Sequence, residues 1–285
     1  MAEVKQLLDG LSFGESLRWH QDRLWLVDWG TQQVMAVDRA GRPQVITQVD
    51  FPAFPTCIDW LPDGRLLVVA ARDGLLLRLE PDGSLATHAD LSGLAEPGYP
   101  WNEIVVDGRG NAYLSNQGFD FPGGTVVLGT IALLKPDGSA RPVAAGIAFP
   151  NGMAITPDNA TLIVAESYGQ KLTAFQIAVD GSLSRPRVWA DLGDGVPDGI
   201  CLDAEGAIWY ADVPNKQCVR IREGGQVLQT IRLDRGCFSC ALGGTNRTTL
   251  FMAATQWRGA EPVAGRSPAG QLLTVQAPTA GAGWP

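Results

Sequence analysis

The run NGMAITPDNATLIVAE (Asn151–Glu166) returns in altered form 47 residues later as DGICLDAEGAIWYAD (Asp198–Asp212). Each copy opens on a side-chain oxygen and a glycine. It then passes through an apolar run, breaks at a turn rich in Asp, Asn or Gly, and resumes as a second apolar run. That is the pattern of two short antiparallel strands. Outward from this pair, the opening position recurs as Glu15 (ESLRW), Thr56 (TCIDW), Asn102 (NEIVV), Asn151, Asp198 and Ser239 (SCALG). The spacings are 41, 46, 49, 47 and 41 residues. A period of about 40 to 50 residues carrying four strand-like runs is the mark of propeller blades.

The expected fold is therefore all-β. Residues 1–285 form one six-bladed β-propeller, with blades beginning near residues 15, 56, 102, 151, 198 and 239. The last blade lacks a fourth run, while VKQLL (Val4–Leu8) is spare at the start. The N-terminal strand is thus expected to close the ring in the C-terminal blade, removing the exposed edges of an open array. The final APTAGAGWP (277–285) reads as a loose tail.

With 45% hydrophobic residues, 34 Gly and 19 Pro, the chain has a globular, turn-rich composition. A net charge of −8 argues against nucleic acid or an anionic membrane as partner and leaves a small molecule. No apolar run approaches the roughly 18 residues that span a bilayer. The N-terminal MAEVKQLLDG lacks the pattern of an export signal, so a cytoplasmic location is expected. The odd count of cysteines (Cys57, Cys201, Cys218, Cys237, Cys240) then reads as free thiols. The two histidines, His20 and His88, fall in or near outer turns, which leaves a Ser-His-Asp or Cys-His arrangement without its base.

Equivalent positions at the start of each innermost strand ring the central channel. Glu15, Asn151 and Asp198 would meet there, with Asn102 between them. Two carboxylates and an amide oxygen suit one hard divalent cation, Ca²⁺ first, with Mg²⁺ or Mn²⁺ as alternatives. Zn²⁺ more often takes His or Cys. The other reading of the same ring is a hydrogen-bonded polar plug. Turns on one face (LPDG, EPDG, KPDG, VDGS) are short, and their Asp residues read as turn formers. Loops on the opposite face are irregular and carry Phe13, Trp29, Phe54, Trp101, Phe119, Phe121, Phe149, Tyr168 and Trp257. The site should open there, as an apolar pocket with Trp29, Trp101, Phe119 and Tyr168 among its substrate contacts. NQGFDFPGGT (Asn116–Thr125) reads equally as its rim or a lid and as a plain loop.

The combination GES (Gly14–Ser16), FPNGMAITPD (Phe149–Asp158) and PDGICLDAEG (Pro197–Gly206), in that order, resembles the senescence-marker-protein/gluconolactonase/luciferin-regenerating-enzyme (regucalcin-like) family over essentially the whole chain. The resemblance implies a six-bladed propeller with one divalent metal in the channel, Zn²⁺ included among the choices. It implies Glu15, Asn151 and Asp198 as metal ligands, Asp198 also as general base, and Asn102 as the substrate-positioning amide. Sugar-lactonase members carry a pattern resembling RxND in the third blade. Here that stretch is Pro100-Trp101-Asn102-Glu103. Proline cannot donate a hydrogen bond, so the substrate expected at Asn102 and Glu103 is less polar than an aldonolactone. The implied activity is metal-dependent hydrolysis of a lactone or related ester. A phosphotriester or fluorophosphate hydrolase and a non-catalytic calcium- or ligand-binding propeller are the rival readings.

Overall fold

The computed structural model describes residues 3–49, 56–95, 99–121, 123–258 and 268–282. Six four-stranded antiparallel sheets surround a central axis. Their innermost strands are Gly14–His20, Ile58–Trp60, Trp101–Val106, Pro150–Ile155, Pro197–Leu202 and Gly236–Gly243. Each blade forms because alternating apolar runs are separated by turns whose geometry the side chains supply. Asp82, Asp137 and Asp180 each accept a hydrogen bond from the backbone N–H two residues on, at 2.9–3.0 Å. These aspartates are turn formers, as the sequence indicates.

The ring closes through the N-terminus. Lys5–Leu11 pairs antiparallel with Gly270–Gln276, from Lys5↔Thr274 to Leu11↔Gly270, and completes the sixth blade. Apolar side chains fill all six gaps between blades. At the seam between blades six and one, Leu11, Leu17, Trp19 and Leu24 pack on Phe251 and Leu272. The seam therefore buries apolar surface as the other interfaces do, which is what stabilises a closed ring over an open one.

Residues 277–282 are not the loose tail expected from their composition. Ala277 is buried, Ala280 O accepts from Ala204 N at 2.8 Å, and Ala282 N donates to Leu202 O at 3.1 Å. Gly281 forms a bridge with Asp203. Small residues let this segment lie close enough to blade five for its backbone groups to find partners; Gly283, Trp284 and Pro285 lie outside the described residues, as does Phe54.

All five cysteines are free. His20 is the last residue of an innermost strand, not part of an outer turn, and stacks on Trp60 with ring centroids 4.3 Å apart. His88 lies on the outer strand Leu85–Asp90. Among the described residues no helix is long and apolar enough to cross a membrane.

Candidate active site

The innermost strands of blades three, four and five share one irregularity. Their antiparallel register shifts between Trp101 and Ile104, between Pro150 and Met153, and between Pro197 and Ile200. The residues inside these bulges are Asn102 and Glu103, Asn151 and Gly152, and Asp198 and Gly199. A bulge leaves its extra residue unpaired and turns the side chain out of the pleat. The ring positions of blades three, four and five are thus aimed at the axis by backbone geometry.

Glycine follows the ring residue in two blades for a steric reason. A Cβ on Gly152 would lie 2.5 Å from Asp198 O and 2.6 Å from Ile200 N. One on Gly199 would lie 2.8 Å from Ser239 Cα. The inner strands of blades four, five and six meet backbone to backbone, and only glycine permits that approach.

A cavity of ≈ 260 Å³ opens where these strands begin. Glu15, Asn102, Glu103, Asn151 and Asp198 all line it. Burial pushes the Glu15 carboxyl well above its usual range, and the charge of Asp198 pushes it further. The Asp198 carboxyl is also raised, by burial and then by Glu103, against a hydrogen bond from Asn151 that lowers it. Asn102 Nδ2 donates to Asn151 Oδ1 at 3.3 Å and to Pro150 O at 3.2 Å. Asn151 Nδ2 faces Ser167 Oγ at 3.3 Å, and Ser167 Oγ donates to Pro197 O at 2.6 Å. Glu103 Oε1 accepts from Arg18 Nη2 at 3.0 Å and from Ile104 N at 2.9 Å.

The other ring positions do not reach the cavity. Ser239 Oγ accepts from Leu17 N at 3.0 Å and joins blade six to blade one. Thr56 precedes the short inner strand of blade two, and its carbonyl accepts from Trp29 Nε1 at 2.7 Å.

Aromatic side chains form two walls. Phe13 stacks on Trp29 at 5.1 Å and meets Phe238 edge-on at 4.6 Å. Opposite, Phe149 stacks on Tyr168 at 4.7 Å and meets Phe121 at 5.1 Å. Trp29 and Tyr168 line the cavity, and Trp257 stands at its edge, 44% exposed. Two expected contacts do not line it. Trp101 packs between blades two and three, because the residue before Asn102 points to the side of the strand. Phe119 lies behind the wall, 5.7 Å from Phe149, and supports it. In the Asn116–Thr125 stretch, Arg72 donates to Asp120 Oδ1 at 2.9 Å and to Phe121 O at 3.1 Å. These bonds tie Asp120 and Phe121 to blade two.

Arg18, Ser167, Gln117 and Phe238 are cavity or floor residues that sequence reasoning did not single out. Gln117 and Ser167 lie just past the second strands of blades three and four, and their residue types carry no signature of that position.

Among the described residues no three His, Cys, Asp or Glu side chains assemble into a metal-binding group. The candidate donors are instead two carboxylates and two carboxamides. Glu15 is buried and Asp198 half-buried in one cavity, each destabilised as an anion. A hard cation coordinated by oxygen would relieve that, so the donor set fits a divalent ion.

A family model described as SMP-30/gluconolactonase/LRE-like region matches residues 13–256. The chain belongs to that family. Regucalcin of Xenopus laevis is 30% identical over 149 residues, covering 48% of this chain and 50% of that protein. A 6-deoxy-6-sulfogluconolactonase of Pseudomonas putida is 27% identical over 197 residues, covering 66% of this chain and 65% of that one. Most such matches span about half the length of the curated relatives. Among solved structures, a luciferin-regenerating enzyme superposes with a TM-score of 0.82 at 20% identity, covering 100% of this chain and 99% of that chain. A gluconolactonase of Xanthomonas campestris gives 0.76 at 23% identity, covering 97% and 90%. At these identities the structural likeness establishes the shared propeller fold.

Proposed function

We propose that this protein is a divalent-cation-dependent hydrolase of a lactone or related ester less polar than an aldonolactone. One observation carries the reading: Glu15, Asn151 and Asp198 come from three blades into one cavity with aromatic walls. Relatives named as pentonolactonase and sulfogluconolactonase support the reaction class. A relative named regucalcin and a solved structure described as a calcium-binding protein support Ca²⁺ as the first choice of ion.

Glu15, Asn151 and Asp198 would hold the cation. When bound, it supplies Lewis-acid polarisation of the substrate carbonyl and of the oxyanion that follows. Asp198 takes a proton from the attacking water as general base. Water adds to the carbonyl carbon, the ring C–O bond breaks, and the proton passes to the leaving oxygen, giving the hydroxy acid. Asn102, held by Pro150 O and Asn151 Oδ1, orients the ester. Trp29, Phe149 and Tyr168 take up the apolar part of the substrate and displace water.

The test is a panel of aryl-substituted lactones, aryl esters and phosphotriesters, each with chelator or with added Ca²⁺, Mn²⁺ or Zn²⁺. Cation-dependent turnover of lactones above the other classes supports the reading. Turnover of phosphotriesters alone, or of nothing while Ca²⁺ binds, replaces it with one of the rivals.

A further inference from the structure

Gln117 is the first residue past the second strand of blade three, Ala112–Asn116. It is 3% exposed, lines the cavity, and its Oε1 is buried with no hydrogen-bond partner among the described residues. A buried carbonyl oxygen without a partner forfeits its hydration, so it points to a group that arrives later.

The side chain is not loosely placed. Gln117 N donates to Pro100 O at 3.2 Å. On one side Asn116 Nδ2 donates to Tyr99 O at 2.9 Å, and Asn116 Oδ1 accepts from Gly118 N at 2.9 Å. On the other, Gly118 sits at φ +85°, where a Cβ would lie 2.6 Å from Leu128 O. The backbone on both sides of Gln117 is thus fixed, with the carboxamide turned inward.

Its surroundings narrow what the ligand group can be. Phe121 and Phe149 line the same cavity and offer no polar atom. Pro100, next to Gln117, has no N–H, and its carbonyl accepts from Gln117 N and Asn116 Nδ2. A carboxylate or phosphate oxygen is itself an acceptor and cannot donate to Oε1, and Glu15, Glu103 and Asp198 line the same cavity. An ammonium would be drawn to those acids and away from a neutral amide. A hydroxyl fits, because it donates to Oε1 and can accept from Nε2.

We propose that Gln117 is a specificity-determining residue whose carboxamide oxygen accepts a hydrogen bond from a neutral hydroxyl on the substrate. Resting on the hydrolase reading above, this narrows the substrate class to a lactone with an apolar aryl part and a free hydroxyl beside it.

The test compares β-hydroxy-γ-phenyl-γ-butyrolactone with its deoxy counterpart on the full chain with Ca²⁺, by turnover and by calorimetric titration. The wild type should favour the hydroxylated lactone. Gln117→Leu should lower kcat/KM and affinity for it by about 10- to 100-fold, and leave the deoxy lactone unchanged or improved. Gln117→Met, of similar volume, should behave as Gln117→Leu and controls for packing. Equal losses on both lactones, no loss on either, or no binding of either would overturn the assignment. Selective binding that Gln117→Leu abolishes, without turnover of either lactone, would overturn the hydrolase reading and keep Gln117 as the hydroxyl contact. Turnover indifferent to the hydroxyl would do the reverse.

Discussion

Arg18 of blade one donates through Nη2 to Glu103 Oε1 of blade three at 3.0 Å, and the same Nη2 reaches Ile104 O at 2.9 Å. The pair is nearly dry, with side-chain exposures of 11% and 7%. It brings a positive charge into a channel that otherwise gathers Glu15, Glu103 and Asp198. Arg18→Leu should therefore leave Glu103 buried and unpaired, costing about 3–5 kcal/mol of stability. Arg18→Leu combined with Glu103→Leu should recover most of that loss. Urea unfolding of the three proteins measures it, and a non-additive pattern is the expected outcome.

Burial and the charge of Asp198 raise the proton affinity of Glu15, and burial and the charge of Glu103 raise that of Asp198. In chelator, Asp198→Asn should be at least as stable as wild type, because one of two repelling acids is gone. Saturating Ca²⁺ should raise the wild-type Tm by about 5 °C and leave the variant's unchanged. Lactone turnover should fall by at least about 100-fold in the variant. Differential scanning fluorimetry and a rate assay read both outcomes.

Asp59 is fully buried, and its carboxyl is pushed up to about 7 by burial, although Arg18 and the Trp60 and Val106 amides pull it down. Between the ordinary carboxylate value of 3.8 and about 7, the folded chain keeps a proton that the unfolded chain has released. Stability from this group is therefore full below about pH 4, falls as pH rises toward 7, and then levels, by at most about 4 kcal/mol. Asp59→Asn should flatten that part of the stability–pH profile. Urea midpoints at pH 5 and pH 8 test it; an unchanged slope would assign the pH dependence to other groups.

Gly152→Ala should disturb the site through the backbone. The new Cβ meets Asp198 O and Ile200 N, so blade five must shift and carry Asp198 with it. A displacement near 1 Å would cost about 100-fold in kcat/KM. Gly93→Ala, whose Cβ has open space around it, serves as the neutral control.

Much of this fold was legible because blades repeat: one opening position and its turns recur along the chain, and the spare VKQLL run foretells the closing strand. The ring acids and amides were legible for the same reason. Trp101 was not, because alternation sends the neighbour of an axial residue sideways into a blade interface. Nor was Arg18, three residues past Glu15, since the register shift between Glu15 and Arg18 alters which residues face the channel. Gln117 was hidden because burial without a partner is a property of the folded surroundings. The 277–282 segment, low in apolar residues, gave no sign that its backbone would dock on blade five.

The most direct measurement is the initial rate of aryl-lactone hydrolysis by chelator-treated wild-type chain and Asp198→Asn, before and after Ca²⁺ is restored. Restoration of the rate in wild type alone is the expected result. A full rate in chelator-treated Asp198→Asn would contradict the proposal that Glu15, Asn151 and Asp198 hold a catalytic cation.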